Sequence, residues 1–567
     1  MSLSVSVRRP PSRSKSPAVS LGALAALALA AVLVAPLVVA LFASFEANDG
    51  SYTLSAWAAV FHEPLDLSAL TNSLELALVT QSVSMVIGVG IAWLIGRTDL
   101  PGRRHLEFAF WISFFLPSLA IVQGWTLMFD PHNGLLNRLG FELLRLDHPL
   151  FDIYSWKGIV FAHLATTTIS AKVMMLVPAF RAMDARLEEA ALVSGGSNLE
   201  TLLGVTLPVI KPALTMTALL GIVYALQSFE IELVLGSPRN IHVYSTVIYN
   251  MTRSDPVDFT RAFVLGDVIA VVTLAFAWLA HRSGTRSRHA TLSAQTSTAL
   301  MRLRRWRWPA GAAVSAIAAL LTVVPLAFLI ASSLMTRFGF FSIHPIFTLD
   351  HWKAVLAEPD FISAALNTLV FALGSAALAL AASLLLAYWI VRSPGRFGAV
   401  LGLSSWGPSS MPAVLFSLTW LWLILRFGPD WFYGSTLSLI VVNALAWMTL
   451  GTQMIRNQLT HLSPQLTEAA WLSGASEWTA LRTVVMPLCA PAMLAVAIMV
   501  FVSSIRDVGH IALLSSGGNQ PLSIFQLAYM VDGSSEEAAV VGVVLAGLAI
   551  GAAWIGRAAG LRHSLHP

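Results

Sequence analysis

Long apolar runs alternate with short polar islands along this chain, and that alternation predicts its architecture. A run of about twenty apolar residues is long enough to cross the hydrocarbon of a bilayer as a helix. Such runs fall at roughly 21–45, 73–96, 107–129, 157–179, 213–235 and 263–281, then at 310–333, 368–391, 398–425, 436–457, 490–514 and 538–558. The pattern predicts an all-α membrane protein with about twelve spans, six in each half. The first run follows a basic start, as a signal peptide would. It is about twice as long as a signal core, so it reads as a membrane helix.

The two halves repeat. Tyr52-Thr53-Leu54 and Trp57 match Phe347-Thr348-Leu349 and Trp352, Asn72-Ser73-Leu74 matches Asn367-Thr368-Leu369, and Arg97 matches Arg392, all 295 residues apart. Six spans per half is an even number, so both halves have the same orientation. Their pseudo-twofold axis then runs along the membrane normal and frames a central path. Asn72 and Asn367 read as N-caps of membrane helices. Trp57 and Trp352, on short amphipathic segments, read as anchors at the outer interface.

Two polar islands, 184–208 and 463–487, repeat most closely. Glu189-Ala190-Ala191 corresponds to Glu468-Ala469-Ala470, Gly195 to Gly474, and Leu207-Pro208 to Met486-Pro487, all 279 apart. The first half thus holds 16 extra residues between Arg97 and Glu189, mostly in the loop 130–156, where insertions are cheap. Each island predicts helix, turn, helix. Asp184 and Ser463 are N-caps, with Pro464 in the first helical position, where its missing N–H costs nothing. Gly195-Gly196 and Gly474-Ala475 stop the first helix. Ser197 and Glu200 form a capping box and Ser476 a plain cap. Pro208 and Pro487 are expected to break the chain before the next apolar run.

The pattern Glu-Ala-Ala, three residues, Gly, nine residues, aliphatic, one residue, aliphatic-Pro resembles the signature loop of ABC importer permeases. Val205 and Val484 fill its usual isoleucine place, and Met486 stands where a leucine is usual. Two copies in one chain resemble the fused twelve-helix subgroup, which includes permeases for ferric iron, thiamine and some phosphonates. The resemblance implies the type I importer permease fold. It implies that each loop carries a coupling helix seated in a groove of a cytoplasmic ATPase. The partners expected from it are two copies of that ATPase, which carry the ATP and Mg, and an extracytoplasmic solute-binding protein.

Composition agrees with a life in lipid. Of 567 residues 56% are hydrophobic and 11% charged, against roughly 25% charged in soluble domains. With the N-terminus inside, the segments assigned to the inner face hold 23 of the 34 Lys and Arg and the outer ones 10. This is the positive-inside bias of an inner-membrane protein with both termini and both loops in the cytoplasm. The organisation expected is a disordered N-terminus at 1–20, a first repeat at 21–281, a basic linker at 282–308, a second repeat at 309–558 and a tail at 559–567. The seven arginines of the linker suit an anionic leaflet. The net charge of +4 sits at helix ends and signals no nucleic acid. The single Cys489 excludes an internal disulfide.

No catalytic or nucleotide-binding constellation stands out. The chain lacks a Gly-Lys dipeptide, hence a Walker-type phosphate loop, and its fourteen histidines show no metal-ligand spacing. No cofactor, metal or enzymatic activity is expected of the chain itself. Two carboxylates, Glu230 and Asp507, fall near the outer ends of equivalent spans, where a charge near hydrocarbon is costly. They read as an outer gate or a contact for a cationic solute. The plainer reading leaves them in outer loops, or pairs Asp507 with Arg506. His163 and Gln227 are path-lining groups or satisfied polar contacts between helices, and Lys172 is placed to snorkel. An ion-driven secondary transporter would show the same span count. It needs titratable groups at mid-membrane and gives no reason for paired Glu-Ala-Ala loops. The resemblance is strongest to ferric iron permeases, with thiamine, phosphonate and polyamine permeases as alternatives.

Overall fold

In lipid every backbone polar group must be satisfied within its own segment, which selects helices for runs of this length. The computed structural model describes residues 17–47, 50–286, 301–393 and 395–558. Among them the backbone is helical, with only isolated bridges such as Thr98 with Met301. Ten helices are long and apolar enough to cross a membrane, or eleven if one bent pair is counted. Residues 1–16 of the expected disordered N-terminus, the middle of the basic linker (287–300) and the 559–567 tail lie outside the described residues, while 17–20, expected to be disordered, already belong to the helix Pro17–Ala43.

The bent pair is Arg103–Phe115 and Ser118–Phe129, which meet at 98°. The equivalent expected span, 398–425, is broken in the same place into Arg396–Ser404, Gly407–Ser410 and Ala413–Phe427. Pro117 and Pro412, 295 apart, sit at the two breaks. Each lacks the N–H that would continue the ladder and crowds the preceding turn. These two breaks account for the difference between the twelve expected spans and the ten uninterrupted ones among the described residues.

The halves are exchanged at their first helices. Pro17–Ala43 packs on the broken segment of the second half, and Val323–Leu334 on Ser118–Phe129 of the first. Glycines let the backbones touch: a Cβ on Gly124 would lie 2.1 Å from the Pro325 carbonyl oxygen, and one on Gly407 2.6 Å from that of Leu33. Within each half the second span crosses the fourth closely. In the first half Lys172 lays its stem on Gly88, and in the second Ser383 lies on Gly451. Gly88 is equivalent to Ser383 and Lys172 to Gly451, so the same crossing is filled from opposite sides. Lys172 is 4% exposed and wedged in this crossing, where a snorkelling cation was expected.

Two further expectations are corrected. Asn72 and Asn367 are not N-caps, because their helices start earlier, at Pro64–Arg97 and Pro359–Arg392. Instead Asn72 Nδ2 donates to the His242 carbonyl (2.9 Å) and Asn367 Nδ2 to that of Gly518 (3.2 Å). Their neighbours Ser73 and Thr368 accept from the amides of Tyr244 (3.0 Å) and Leu522 (2.8 Å), the first residues of two short helices, Tyr244–Met251 and Leu522–Val531. Pro208 and Pro487 also fail to break the chain. Asn198–Ala225 and Trp478–Ile505 are continuous, because a π turn at Leu202–Thr206 and Leu481–Val485 precedes each proline. The widened turn relieves the clash a proline ring makes with the carbonyl a turn before it.

Trp57 and Trp352 do lie on short helices, Ser55–His62 and Asp350–Ala357. Both are half-buried rather than free at a surface. Trp57 stacks on Phe45 at 5.7 Å and Trp352 donates to Ser333 Oγ at 3.2 Å.

Candidate functional site

The two islands are loops at one end of the molecule, built alike. In the first, Asp184 caps Ala185–Val193 by accepting from the Arg186 amide at 3.0 Å. In the second, Pro464 opens Pro464–Leu472. Gly195 and Gly474 end these helices at φ +92° and +84°, the left-handed region that only glycine enters freely. The Gly196 amide then bonds the Ala191 carbonyl (3.1 Å), and the Ala475 amide that of Ala470 (3.0 Å). Ser197 and Glu200 form the reciprocal capping box, and Ser476 accepts from the Thr479 amide at 3.1 Å.

The signature glutamates Glu189 and Glu468 are exposed, as are Ala190, Ala469, Pro208 and Pro487; Ala191, Ala470, Leu207 and Met486 are half-buried. Large apolar side chains accompany them into solvent at matched positions. Leu187 and Leu466 are 44% and 47% exposed, Val193 and Leu472 89% and 90%, Leu199 and Trp478 62% and 67%. Each pair stands 279 apart. Isolated exposed apolar residues are ordinary, whereas matching apolar clusters on paired loops are the kind of surface a partner covers.

What seats the loops was missed in the sequence. Glu188, next to the signature residue, is buried. It accepts from Arg97 Nε at 2.9 Å and from its Nη2, while its other oxygen accepts from Thr206 Oγ1 at 2.7 Å. The second half has Thr467 at that place, and Arg392 instead lies over the Trp471 ring, 3.8 Å from its centroid. The Arg97–Arg392 match at the loop-side ends of two spans was the available signal, but nothing in the sequence named what each touches. The first loop is also held by the linker. Asn198 Nδ2 donates to the Arg302 carbonyl at 3.2 Å, and the Met301 amide to the Arg97 carbonyl at 2.9 Å.

The second cluster lies beyond the far ends of the helices that rise from the loops. Those helices stop at Ala225 and Ile505, about ten residues earlier than the apolar pattern suggests. Glu230 starts the separate helix Glu230–Leu235. Glu230 and Asp507 are brought within electrostatic range of each other and of Arg506. Asp507 does not pair with its neighbour: it binds His510 through Nδ1 at 2.9 Å and accepts from Trp447 Nε1 at 3.4 Å. Arg506 donates across the halves to the Phe114 and Leu116 carbonyls. Gln227 donates across in the other sense, to the Ser409 carbonyl at 3.1 Å. His163 bonds Glu232 at 2.8 Å, with Ser228 on the other oxygen at 2.8 Å; Glu232 was not singled out in the sequence, although it lies in the same apolar run as Glu230. Among the described residues no group of three or more His, Cys, Asp or Glu is placed to hold a metal.

Residues 379–558 match the family model described as "Binding-protein-dependent transport system inner membrane component". The chain is similar to a probable ABC transporter permease of Sinorhizobium fredii, 26% identical over 491 residues and covering 83% of this chain and 84% of that one. It is similar to a ferric transport system permease of Actinobacillus pleuropneumoniae, 23% identical with 84% and 69% covered. It also aligns with a solved bacterial ABC transporter involved in alginate import, at 16% identity and a TM-score of 0.39, over 46% of this chain and 96% of that one.

Proposed function

We infer that this chain, an ABC importer permease of the binding-protein-dependent kind, is the fused membrane subunit of an ATP-driven importer. Both loops face the cytoplasm of a cell whose inner membrane the protein spans, with its termini on that side. Each loop receives one copy of a separate ATPase, and a binding protein delivers solute at the opposite end. The observation that carries this reading is the matched pair of exposed apolar clusters, Leu187–Val193–Leu199 and Leu466–Leu472–Trp478. They present one docking face twice, around the pseudo-twofold axis. Closure of the ATPases draws the loops together. The π-turn helices, continuous from loop to far end, carry that motion to the second cluster. The expected complex, measured by native mass spectrometry of the purified transporter, is one chain with two ATPases. A chain that binds no ATPase and moves solute on an ion gradient alone would overturn the reading.

The cargo proposed is a cation, ferric iron first. The cargo named for the ferric relative belongs to that protein, so the support comes from the far cluster, where Glu230, Glu232 and Asp507 outnumber Arg506 in formal charge. Glu230→Gln and Asp507→Asn together are expected to lower uptake in vesicles severalfold while leaving ATPase binding intact. Unchanged uptake would remove both carboxylates from the path.

A further inference from the structure

The contacts of Arg506 and Gln227 form a pair that the repeat explains. Gln227 and Arg506 stand 279 apart and Ser409 and Phe114 stand 295 apart, the separations at which the two halves correspond before and after the insertion. Each donor follows the last turn of the helix that rises from a loop. Each acceptor is a carbonyl just before a proline break in the opposite half. Phe114 and Ser409 lie three residues before Pro117 and Pro412, so the break removes the backbone donors that would have satisfied them. A carbonyl orphaned within a membrane protein needs a partner, and in both places the partner comes from the other half.

We propose that Arg506–Phe114 and Gln227–Ser409 are the two arms of one reciprocal clasp that holds the halves together at the end remote from the loops, with Arg506 as its sensing arm. The clasp rests on the importer reading given above. Its arms differ in one useful respect. Gln227 is neutral, whereas the Arg506 guanidinium lies in the field of Glu230 and Asp507. Arg506 therefore stands as a tethered cation beside the carboxylates that a cationic cargo would meet. Cargo arriving there competes for those carboxylates, loosens Arg506 from the Phe114 and Leu116 carbonyls, and lets the far ends part. Both are positioning residues, acting on the broken helices rather than on cargo chemistry. The bland alternative is that each side chain only satisfies a stray carbonyl, and then its loss lowers stability without touching coupling.

The test uses the whole complex in proteoliposomes, with ATP hydrolysis measured with and without the solute-loaded binding protein. Arg506→Gln is expected to raise hydrolysis in the absence of binding protein by about tenfold or more, the factor that losing a charge-assisted hydrogen bond carries. Arg506→Lys, which keeps the cation and a donor, is expected to return most of the dependence on binding protein. Gln227→Ala removes a neutral arm and is expected to raise the basal rate by roughly three- to tenfold. It also decides the matter if Arg506→Gln does not assemble. Basal rates equal to wild type in Gln227→Ala, or in an Arg506→Gln complex that assembles, overturn the clasp. The wild-type complex separates this from the wider reading: ATPase binding and stimulation there show an importer whatever the variants do, and their absence would fault the importer reading itself.

Discussion

Glu188→Ala is expected to unseat the first loop, at a cost of about 3 to 5 kcal/mol, the range for removing one member of a buried ion pair. The reason lies in what remains. Arg97 and Glu188 have side chains only 3% exposed, so the truncation leaves a guanidinium without its carboxylate and Thr206 Oγ1 without its acceptor. Glu189→Ala, one residue on, removes an exposed carboxylate and is expected to change stability by no more than about 0.5 kcal/mol. The pair of variants thus separates two roles that adjacent glutamates could share, holding the loop and meeting a docked partner. Thermal unfolding of the purified protein together with ATPase binding makes the measurement. Glu188→Ala should lose both, Glu189→Ala only the second. Equal stability of the two variants would show that the buried pair does not seat the loop. Replacing Arg97 and Glu188 together by apolar residues of similar volume should restore much of the loss, because no charge is then stranded.

Gly474→Pro is expected to leave the protein in the membrane yet abolish the coupling of ATP hydrolysis to solute. At φ +84° the position is closed to proline, whose ring fixes φ near −65°. Open space surrounds a Cβ built there, so Gly474→Ala meets no clash. It bears only the left-handed strain of about 1 to 2 kcal/mol, on the order of tenfold in a rate that depends on the turn. Gly195→Pro should be milder. Its loop is pinned by the Arg97–Glu188 pair and by the linker, whereas the second loop has the Arg392–Trp471 contact, worth about 0.5 to 2 kcal/mol. Solute-stimulated hydrolysis in proteoliposomes ranks the three variants. Normal stimulation in Gly474→Pro would remove this turn from the coupling path.

The halves share a fold and some fastenings, such as Ser73 and Thr368 on their short helices, but not all of them. The second span crosses the fourth at Gly88–Lys172 in one and at Ser383–Gly451 in the other. The loop is seated by an ion pair in one and by a ring in the other. Duplicated backbones constrain where a contact must exist, but any pair that fills the space and satisfies the polar groups serves.

From the sequence alone came the run lengths, the parallel repeat, the paired loops and the caps at Asp184, Ser197 and Ser476, since each rests on local chemistry; Ser463 stands at the cap position of its helix but its side chain makes no capping bond. Apolar length fixes a span, a short polar side chain fixes a cap, and a turn in the left-handed region calls for glycine at 195 and 474. The pattern also singled out Glu230 and Asp507, because carboxylates beside apolar runs are conspicuous. Only the structure decided which glutamate of Glu188-Glu189 is buried, why Pro208 and Pro487 leave their helices continuous, and where Arg506 and Gln227 reach. The prolines are accommodated locally by the π turns, but the glutamate, Gln227 and Arg506 outcomes depend on groups 91, 182 and 392 residues away in the chain. Hydropathy registers how much a segment avoids water, not which neighbour satisfies a carbonyl left open by a proline, and that choice is made when the two halves pack.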